Sequence, residues 1–569
     1  DAGATAFKKV EIPADWATAE DAKKENVLTG PAKLVKMVEN ILEPVDRMDG
    51  DSLPVSAFAE HVDGTFELGA AAYEKRGVAV SVPTWNSDKC IQCNQCAYVC
   101  PHATIRPFML TEEEAAKAPA SAKIVDVKAG KGKGVYKFTM AISPLDCMGC
   151  EVCVGQCPVG ALSMVPQEKE AAQQDVFNYC VAEVAEKKDL QDNTVKGSQF
   201  KQPMLEFSGS CAGCAETSYA RLITQLFGDH MYISNATGCS SIWGGPAATS
   251  PYCTNKEGHG PAWSNSLFED NAEHGLGMFL GQQATRNRLA DKVKELAGVT
   301  TVDAKRAACE EYLATMDDYA ANKAATEKLV AALEADPDCP YSKAILAEKE
   351  FLGKKSMWIF GGDGWAYDIG FGGVDHVLAS GNNVNIFVFD TEVYSNTGGQ
   401  ASKASNIGQV AQFAAAGKEI KKKSLAEIAM SYGYIYVAQV AMGANPAQTL
   451  KAIQEAEAYN GPSLIIGYAP CEMHSIKGGM KNCQKEMKRA VECGYWNLFR
   501  FNPAAEGAKF TLDSKEPKDG YREFLMNEAR YARLTQEFPE RAETLFERNE
   551  KNAMERYEHL LKLKAMYAE

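Results

Sequence analysis

From about Gln202 onward the chain alternates short apolar, β-rich runs with stretches of helical period, the pattern of βα units around a parallel sheet. The clearest strands are MYISN (Met231 to Asn235), Met357 to Phe360, Val384 to Phe389 and the SLIIGYAP run from Ser463. Inside this main domain, 202–569, residues 286–336 are rich in Ala, Glu and Lys at helical spacing and read as a helical insertion. Residues 528–568 form a helical C-terminal segment, charged on one face and studded with Leu, Met and Tyr, expected to dock onto the body. Upstream, 83–165 is a compact cysteine-rich unit whose VYKFTMAI reads as a strand, and 166–201 is a linker. Residues 28–82 open with an amphipathic stretch (Pro31 to Leu42) and continue irregularly through LPVSAF, DGTFELG and EKRGVAV, as an arm that wraps a neighbour. Residues 1–27 read as the tail of a preceding domain, since the chain opens at Asp1.

A length of 569 residues is enough for three or four units with large cores. The net charge of -15 disfavours a phosphate-backbone partner, so no nucleic acid is expected. No run of about 18 apolar residues and no basic-then-apolar leader is present, which predicts a soluble, cytoplasmic protein without a membrane span. Eighteen cysteines would be hazardous in an oxidising compartment, which points to a reducing, anaerobic setting.

Eight of those cysteines fall in two runs: Cys90, Cys93, Cys96 and Cys100 before Pro101, and Cys147, Cys150, Cys153 and Cys157 before Pro158. Each member of the second lies 57 positions after its counterpart, an internal duplication of C-x2-C-x2-C-x3-C-P, the run that ligates 4Fe-4S cubanes. Zinc sites rarely use three equally spaced thiolates before C-P, and disulfide scaffolds belong to short secreted chains. In two-cluster ferredoxins the fourth cysteine of each run serves the other cluster. Cys90, Cys93, Cys96 and Cys157 are therefore assigned to one cubane, and Cys147, Cys150, Cys153 and Cys100 to its neighbour.

A second signal follows the strand at Met357 to Phe360, which ends in Gly361, Gly362, Asp363 and Gly364. Glycines at such a turn let backbone amides approach a diphosphate, and a carboxylate can hold the divalent ion that neutralises it. The layout resembles the thiamine diphosphate motif, in which GDG is followed about 27 to 30 residues later by a second metal ligand, usually Asn. Asn382 and Asn383 come only 19 and 20 residues after Asp363, before the next strand. Thr391 stands 28 residues on, just past that strand, so Mg2+ is assigned to Asp363, Thr391 and the carbonyl of Val393.

Cys211 and Cys214 form a further C-x2-C where a helix should begin; Cys239 follows MYISN and Cys471 follows SLIIGYAP. In a parallel sheet such strand ends gather at one crevice. A third cubane on these four cysteines would lie beside the cofactor. Cys180, Cys253, Cys309, Cys339, Cys483 and Cys493 show no ligand spacing and are expected to be structural. KEIKKKS (Lys418 to Ser424) reads as a solvated helix face, with attraction of coenzyme A phosphates or acidic ferredoxin as the alternative. His259 and His274 are expected to be buried, hydrogen-bonded histidines without a catalytic role.

The phrases CIQCNQCAYVCPHATIRP, CMGCEVCVGQCP, SGSCAGCAET, NATGCSSIWGG, GHGPAWSNSLFEDNAE, GGDGWAYDIGFGG and DTEVYSNTGGQ resemble the C-terminal half of the pyruvate:ferredoxin (flavodoxin) oxidoreductases, over about 28–545. The resemblance implies an α/β protein with a parallel-sheet thiamine-diphosphate-binding domain, an N-terminal arm and a ferredoxin-like two-4Fe-4S domain. It implies oxidative decarboxylation of pyruvate with coenzyme A to acetyl-CoA and CO2, electrons passing singly through three 4Fe-4S clusters to ferredoxin or flavodoxin. By position it places Glu216, Cys239, Gly362, Asp363, Gly364, Trp365, Thr391, Ser395 and Asn396 at thiamine diphosphate, with Asn396 facing the substrate as the catalytic residue. The N-terminal portion that would hold the aminopyrimidine, its activating glutamate and an arginine for the pyruvate carboxylate is not recognisable in 1–82. It is expected as a partner, in a homodimer of the complete enzyme. The alternatives are a related oxidoreductase for another 2-oxoacid, or a stand-alone iron-sulfur electron carrier.

Overall fold

The computed structural model describes residues 2–19, 28–245 and 249–568; most of the span 1–27 read as a tail is included, and residues 20–27 lie outside the described residues. Residues up to Glu67 form one compact unit and Leu68 onward another. In the first, Ala32–Met37 is helical and widens into a π turn over Val38–Leu42, with Leu34, Met37, Val38, Ile41 and Leu42 buried, as the amphipathic pattern predicts. Lys36 and Glu60 pair across this unit at 2.7 Å.

The arm read over 28–82 is thus divided at 67/68, because its amphipathic first part buries apolar residues of its own, and only Leu68 to Val82 belongs to the second unit. The Gly69 and Ala71 amides donate to the carbonyls of Tyr252 and Ser250 (2.7 and 3.1 Å), Arg76 donates to the Phe207 carbonyl (2.9 Å), and Lys75 pairs with Asp146 (2.7 Å). It thereby ties the cysteine-rich region to the large domain.

The duplication is visible in the backbone of the cysteine-rich region. Gln92 and Gly149 have φ of 57° and 65°, and Asn94 and Glu151 of 60° and 63°, so both runs turn through the left-handed region at the same two steps. A short helix follows each turn, Gln95–Val99 and Val152–Gln156. Strands Ser81–Trp85 and Leu162–Pro166 close the unit as an antiparallel pair. The residues between the runs form an antiparallel sheet of Ile105–Leu110, Lys137–Ile142 and Val125–Asp126. The span 166–201 is not a mere linker: Gln173–Glu183 is a helix that buries Val176, Phe177 and Cys180 against this sheet. Three apolar residues on one face gain more from burial than an exposed connection would.

The large domain is built on an eight-stranded sheet ordered 510–512, 499–501, 436–440, 463–468, 385–390, 356–362, 231–235, 262–265. Six strands run parallel, and the two at the 510–512 end are antiparallel. Asn385–Asp390 (NIFVFD) and Ser463–Tyr468 (SLIIGY) are buried at every position, which is why they read as continuous apolar runs rather than alternating ones. The helical insertion is longer than 286–336. Helices Asn271–Val299, Asp303–Ala314, Tyr319–Glu334 and Pro340–Leu346 surround a small core of Leu289, Val293, Leu296, Tyr312, Leu329 and Leu333. The C-terminal helices Ala529–Glu537 and Pro539–Met566 dock onto the body, where Asn549 donates to the Ile407 carbonyl (2.8 Å) and Arg556 to that of Tyr495 (2.7 Å). Among the described residues no helix is long and apolar enough to cross a membrane.

Candidate active site

Four adjacent parallel strands deliver the predicted site to one edge of the sheet. Ser463–Tyr468, Asn385–Asp390, Ser356–Gly362 and Met231–Asn235 lie side by side, with Tyr468 opposite Asp390, Phe389 opposite Gly362, and Asn235 opposite Phe360. Their carboxyl ends lead into Cys471, Thr391, Asp363 and Cys239. The helix Ala215–Phe227 runs back to the amino end of Met231–Asn235, so Cys211 and Cys214 at its start share that edge.

Asp363 is buried, and its carboxylate is met from three sides. The Thr391 hydroxyl donates to Oδ1 at 2.9 Å, the Thr391 amide to the same oxygen at 3.1 Å, and Ser402 to Oδ2 at 2.8 Å. The Thr391 oxygen also lies 3.0 Å from the Val393 carbonyl and 2.9 Å from the Ser395 hydroxyl. Carboxylate, hydroxyl and carbonyl oxygens thus converge, a donor set suited to a hard cation. Burial and the neighbouring Asp390 hold the Asp363 carboxyl well above the usual carboxylate range, an electrostatic cost that a bound cation would reverse. A Cβ at Gly362 would meet only the Phe389 carbonyl at an ordinary 3.9 Å, while Gly364 is required by the Tyr394 ring, 2.5 Å from its hypothetical Cβ. Asn383 is at the far end of its strand, bonded to Asn460, and Asn382 bonds Ser380. The Trp365 indole is fully buried, packed beneath Gly361 and Gly370. Asn396 stands exposed in the turn after Ser395.

Thiols within each proposed quartet lie near enough to raise one another. Burial pushes Cys96 up, and Cys93, Cys90 and Cys157 add to the effect; Cys150 is pushed up to about 12 by burial, then Cys100 and Cys147. Cys153 responds to Cys150, Cys100 and Cys147 and also to Cys96, so the two quartets adjoin. The amides of Gln92 and Gly149 donate to Cys90 and Cys147 Sγ at 3.3 and 3.4 Å, again as a matched pair. At the sheet edge burial raises Cys239, then Glu216, Cys471, Cys214 and Cys211. Cys471 is raised by burial to about 11, eased by the Met473 amide and the facing Ser395 hydroxyl. Glu216 is buried beside these thiols with Trp243 Nε1 donating to it at 3.0 Å, and burial lifts its carboxyl to about 7. Among the described residues no three His, Cys, Asp or Glu side chains are drawn together tightly enough for a single metal ion. Cubane thiolates each bind a separate iron, so a wider spread suits them.

Comparison with known proteins bears on the assembly as a whole. Over 561 residues, 98% of this chain and 47% of the relative, the sequence is 50% identical to "Pyruvate-flavodoxin oxidoreductase" of Klebsiella pneumoniae. It is 50% identical to "Pyruvate:ferredoxin oxidoreductase" of Moorella thermoacetica over 98% of this chain and 48% of that protein. The chain resembles the pyruvate:ferredoxin (flavodoxin) oxidoreductases. It spans about half the length of these curated relatives. "Pyruvate dehydrogenase [NADP(+)], mitochondrial" of Euglena gracilis is 45% identical over 95% of this chain and 30% of its own length. A solved 2-oxoglutarate:ferredoxin oxidoreductase from Magnetococcus marinus matches with a TM-score of 0.27 and 17% identity over 47% of this chain and 65% of that chain, too weak a likeness to carry argument. Family models match a 4Fe-4S dicluster domain at 89–161 and a thiamine pyrophosphate enzyme C-terminal TPP-binding domain at 343–466, with a domain of unknown function at 23–79. The oxidoreductase resemblance thus includes an iron-sulfur region holding both C-P runs and a thiamine region holding Asp363 to Asn396. Cys211, Cys214, Cys239 and Cys471 lie outside both matched spans.

Three features escaped the sequence. Lys418 to Ser424 is not a helix face: the segment is irregular, and Lys422 is largely withdrawn from solvent between Asp390 (2.8 Å) and Glu392 (3.0 Å). His474 Nε2 donates to the Thr391 carbonyl at 2.7 Å, and Ser402 supports Asp363 from a loop without periodicity. His259 is exposed rather than buried, whereas His274 is half-buried against the Ser234 hydroxyl at 2.8 Å.

Proposed function

We propose that this chain supplies the diphosphate half of the active site and the electron path of an enzyme that oxidatively decarboxylates pyruvate with coenzyme A to acetyl-CoA and CO2. Electrons leave singly, through three 4Fe-4S clusters, to ferredoxin or flavodoxin. The observation that carries the reading is Ser395, whose hydroxyl touches Thr391 at 2.9 Å and faces Cys471, so the cation donors and the third cysteine quartet are one side chain apart. The names of the relatives support pyruvate as substrate and flavodoxin or ferredoxin as acceptor.

Bound thiamine diphosphate supplies the electron sink that makes decarboxylation of a 2-oxoacid feasible. Asp363, Thr391 and the Val393 carbonyl would hold Mg2+, and the backbone at Gly362 and Gly364 would receive the diphosphate. Asn396 faces the substrate. Cys211, Cys214, Cys239 and Cys471 hold the first single-electron acceptor. Cys90, Cys93, Cys96 and Cys157 hold a second, and Cys147, Cys150, Cys153 and Cys100 a third. Glu216 keeps a carboxyl group between the cofactor edge and the first quartet. The aminopyrimidine end and its activating carboxylate belong to polypeptide beyond these 569 residues, in keeping with the chain's share of its relatives' length.

Coenzyme A-dependent reduction of flavodoxin by pyruvate tests this. The chain alone is expected to take electrons from a chemical reductant yet release no CO2 from pyruvate; joined to the complementary half, it should do both. Pyruvate turnover by the isolated chain, or a complemented enzyme that prefers another 2-oxoacid, would overturn the reading.

A further inference from the structure

Between the two cation donors Thr391 and Val393 stands a residue to which no role has been assigned. Glu392 has φ of 60°, in the left-handed region where a non-glycine residue needs support from its surroundings. The support is unusually complete. Arg530 Nη1 meets Oε2 at 2.8 Å, Lys422 Nζ meets Oε1 at 3.0 Å, and Asn406 Nδ2 donates to Oε1 at 3.1 Å. The Tyr495 hydroxyl also donates to Oε2. The backbone is held as firmly, since Ser405 and Gln409 donate to the Glu392 carbonyl at 2.6 and 3.0 Å and the Glu392 amide donates to Asp390 Oδ1 at 3.1 Å. The side chain has no solvent exposure, so each of these partners meets it away from water.

Arg530 lies 138 residues further along, in the first helix of the C-terminal segment, and it also binds Glu528 at 2.6 Å. Glu528 lies 3.7 Å from His474, whose other ring nitrogen holds the Thr391 carbonyl. The same short stretch of the C-terminal segment therefore restrains both Thr391 and Glu392. A left-handed residue at 392 is what folds the chain back so that the Val393 carbonyl comes within 3.0 Å of the Thr391 hydroxyl.

We propose that Glu392 is a positioning residue for the cation and diphosphate site: clamped by Arg530 and Lys422, it holds the left-handed turn that presents the Val393 carbonyl beside Asp363 and Thr391. The C-terminal helical segment is thus a working part of the thiamine edge. The inference rests on the proposed use of that edge. Without the clamp the turn relaxes toward ordinary φ, and binding must first restore it, which lowers apparent affinity by the fraction of chains still in the competent form.

The test separates conformation from simple loss of a buried charge pair. Glu392→Ala and Glu392→Gly remove the same contacts, but glycine enters the left-handed region freely while alanine does not. The 569-residue chains are titrated with Mg2+ and thiamine diphosphate by intrinsic fluorescence, and Tm is recorded without ligand. Both variants should lose thermal stability, and alanine should bind about tenfold more weakly than glycine. Glu392→Gln keeps the shape and loses the charge, and gives a second reading whether or not the other two fold. It should bind several-fold more weakly than wild type and show faster amide exchange over 391–395. Equal affinity of the alanine and glycine chains, or wild-type affinity and exchange in Glu392→Gln, overturns the proposal. Failure of the wild-type chain itself to bind Mg2+ and thiamine diphosphate would instead overturn the reading of the edge on which it rests.

Discussion

The cysteine-rich region and the thiamine edge both gather thiols, but they do so by opposite means. The first places its eight cysteines within 68 residues, and each turn that presents them is specified by its own local sequence, down to matched left-handed residues at 92 and 149 and at 94 and 151. The second draws Cys211, Cys214, Cys239 and Cys471 from a span of 261 residues, and nothing brings them together except the order and direction of four strands. Local chelation survives as long as its loop does. A site made by topology depends on every strand keeping register, and at the thiamine edge buried charges hold the strand ends in place. Asp363, Asp390, Glu392, Glu528, Lys422 and Arg530 are all largely withdrawn from solvent there.

If register is what makes the thiamine edge, its donors should be found by position rather than by residue type. Thr391→Val is expected to weaken Mg2+-dependent thiamine diphosphate binding roughly 100-fold, at the upper end of what loss of a metal's supporting contacts costs. Asn383→Ala, eight residues earlier at the other end of the strand, should leave it within about twofold, the change expected from a surface substitution within about ±0.5 kcal/mol. Calorimetric titration checks both, and the reverse ranking would show that the second donor had been misplaced.

A smaller effect sharpens the contrast in buried charge. Glu486, on the helix Cys483–Glu492, has its side chain withdrawn from solvent and one carboxylate oxygen without a hydrogen-bond partner. Burial and the nearby Glu528 lift it from 4.5 to about 7. The folded chain therefore keeps this proton longer than the unfolded chain does, and stability declines as pH rises from about 4.5 to about 7. Glu486→Gln should raise stability at pH 8 by on the order of 2 kcal/mol and leave it unchanged near pH 4.5, read from urea unfolding at the two values. An equal effect at both would mean that the carboxylate is not strained by its burial.

Much of this architecture is legible in the sequence, and the limits are physical. The C-P runs announce themselves because the ligand spacing and the turn that serves it are contiguous. Strands such as NIFVFD are plain because both faces are buried, and Thr391 can be placed by counting from Asp363 across one βα unit. The KEIKKKS run misleads because charge density alone cannot tell a solvated lysine from Lys422, which is held largely out of solvent by two acids in other parts of the chain. The helix at Gln173–Glu183 is masked by the polar residues around it, although Val176, Phe177 and Cys180 carry its buried face. The pairing of Glu392 with Arg530 leaves no trace in periodicity or motif, since it links a strand end to a helix that meet only after the C-terminal segment docks.

The central claim is that topology builds a third cluster site at the thiamine edge beside the two written locally. Anaerobic iron and acid-labile sulfide analysis of the reconstituted chain measures it directly. Three cubanes predict about twelve iron and twelve sulfide per chain, falling to about eight of each in Cys471→Ser with the two locally encoded clusters retained. A wild-type value near eight, unchanged by Cys471→Ser, would contradict the account and leave the thiamine edge without an electron acceptor of its own.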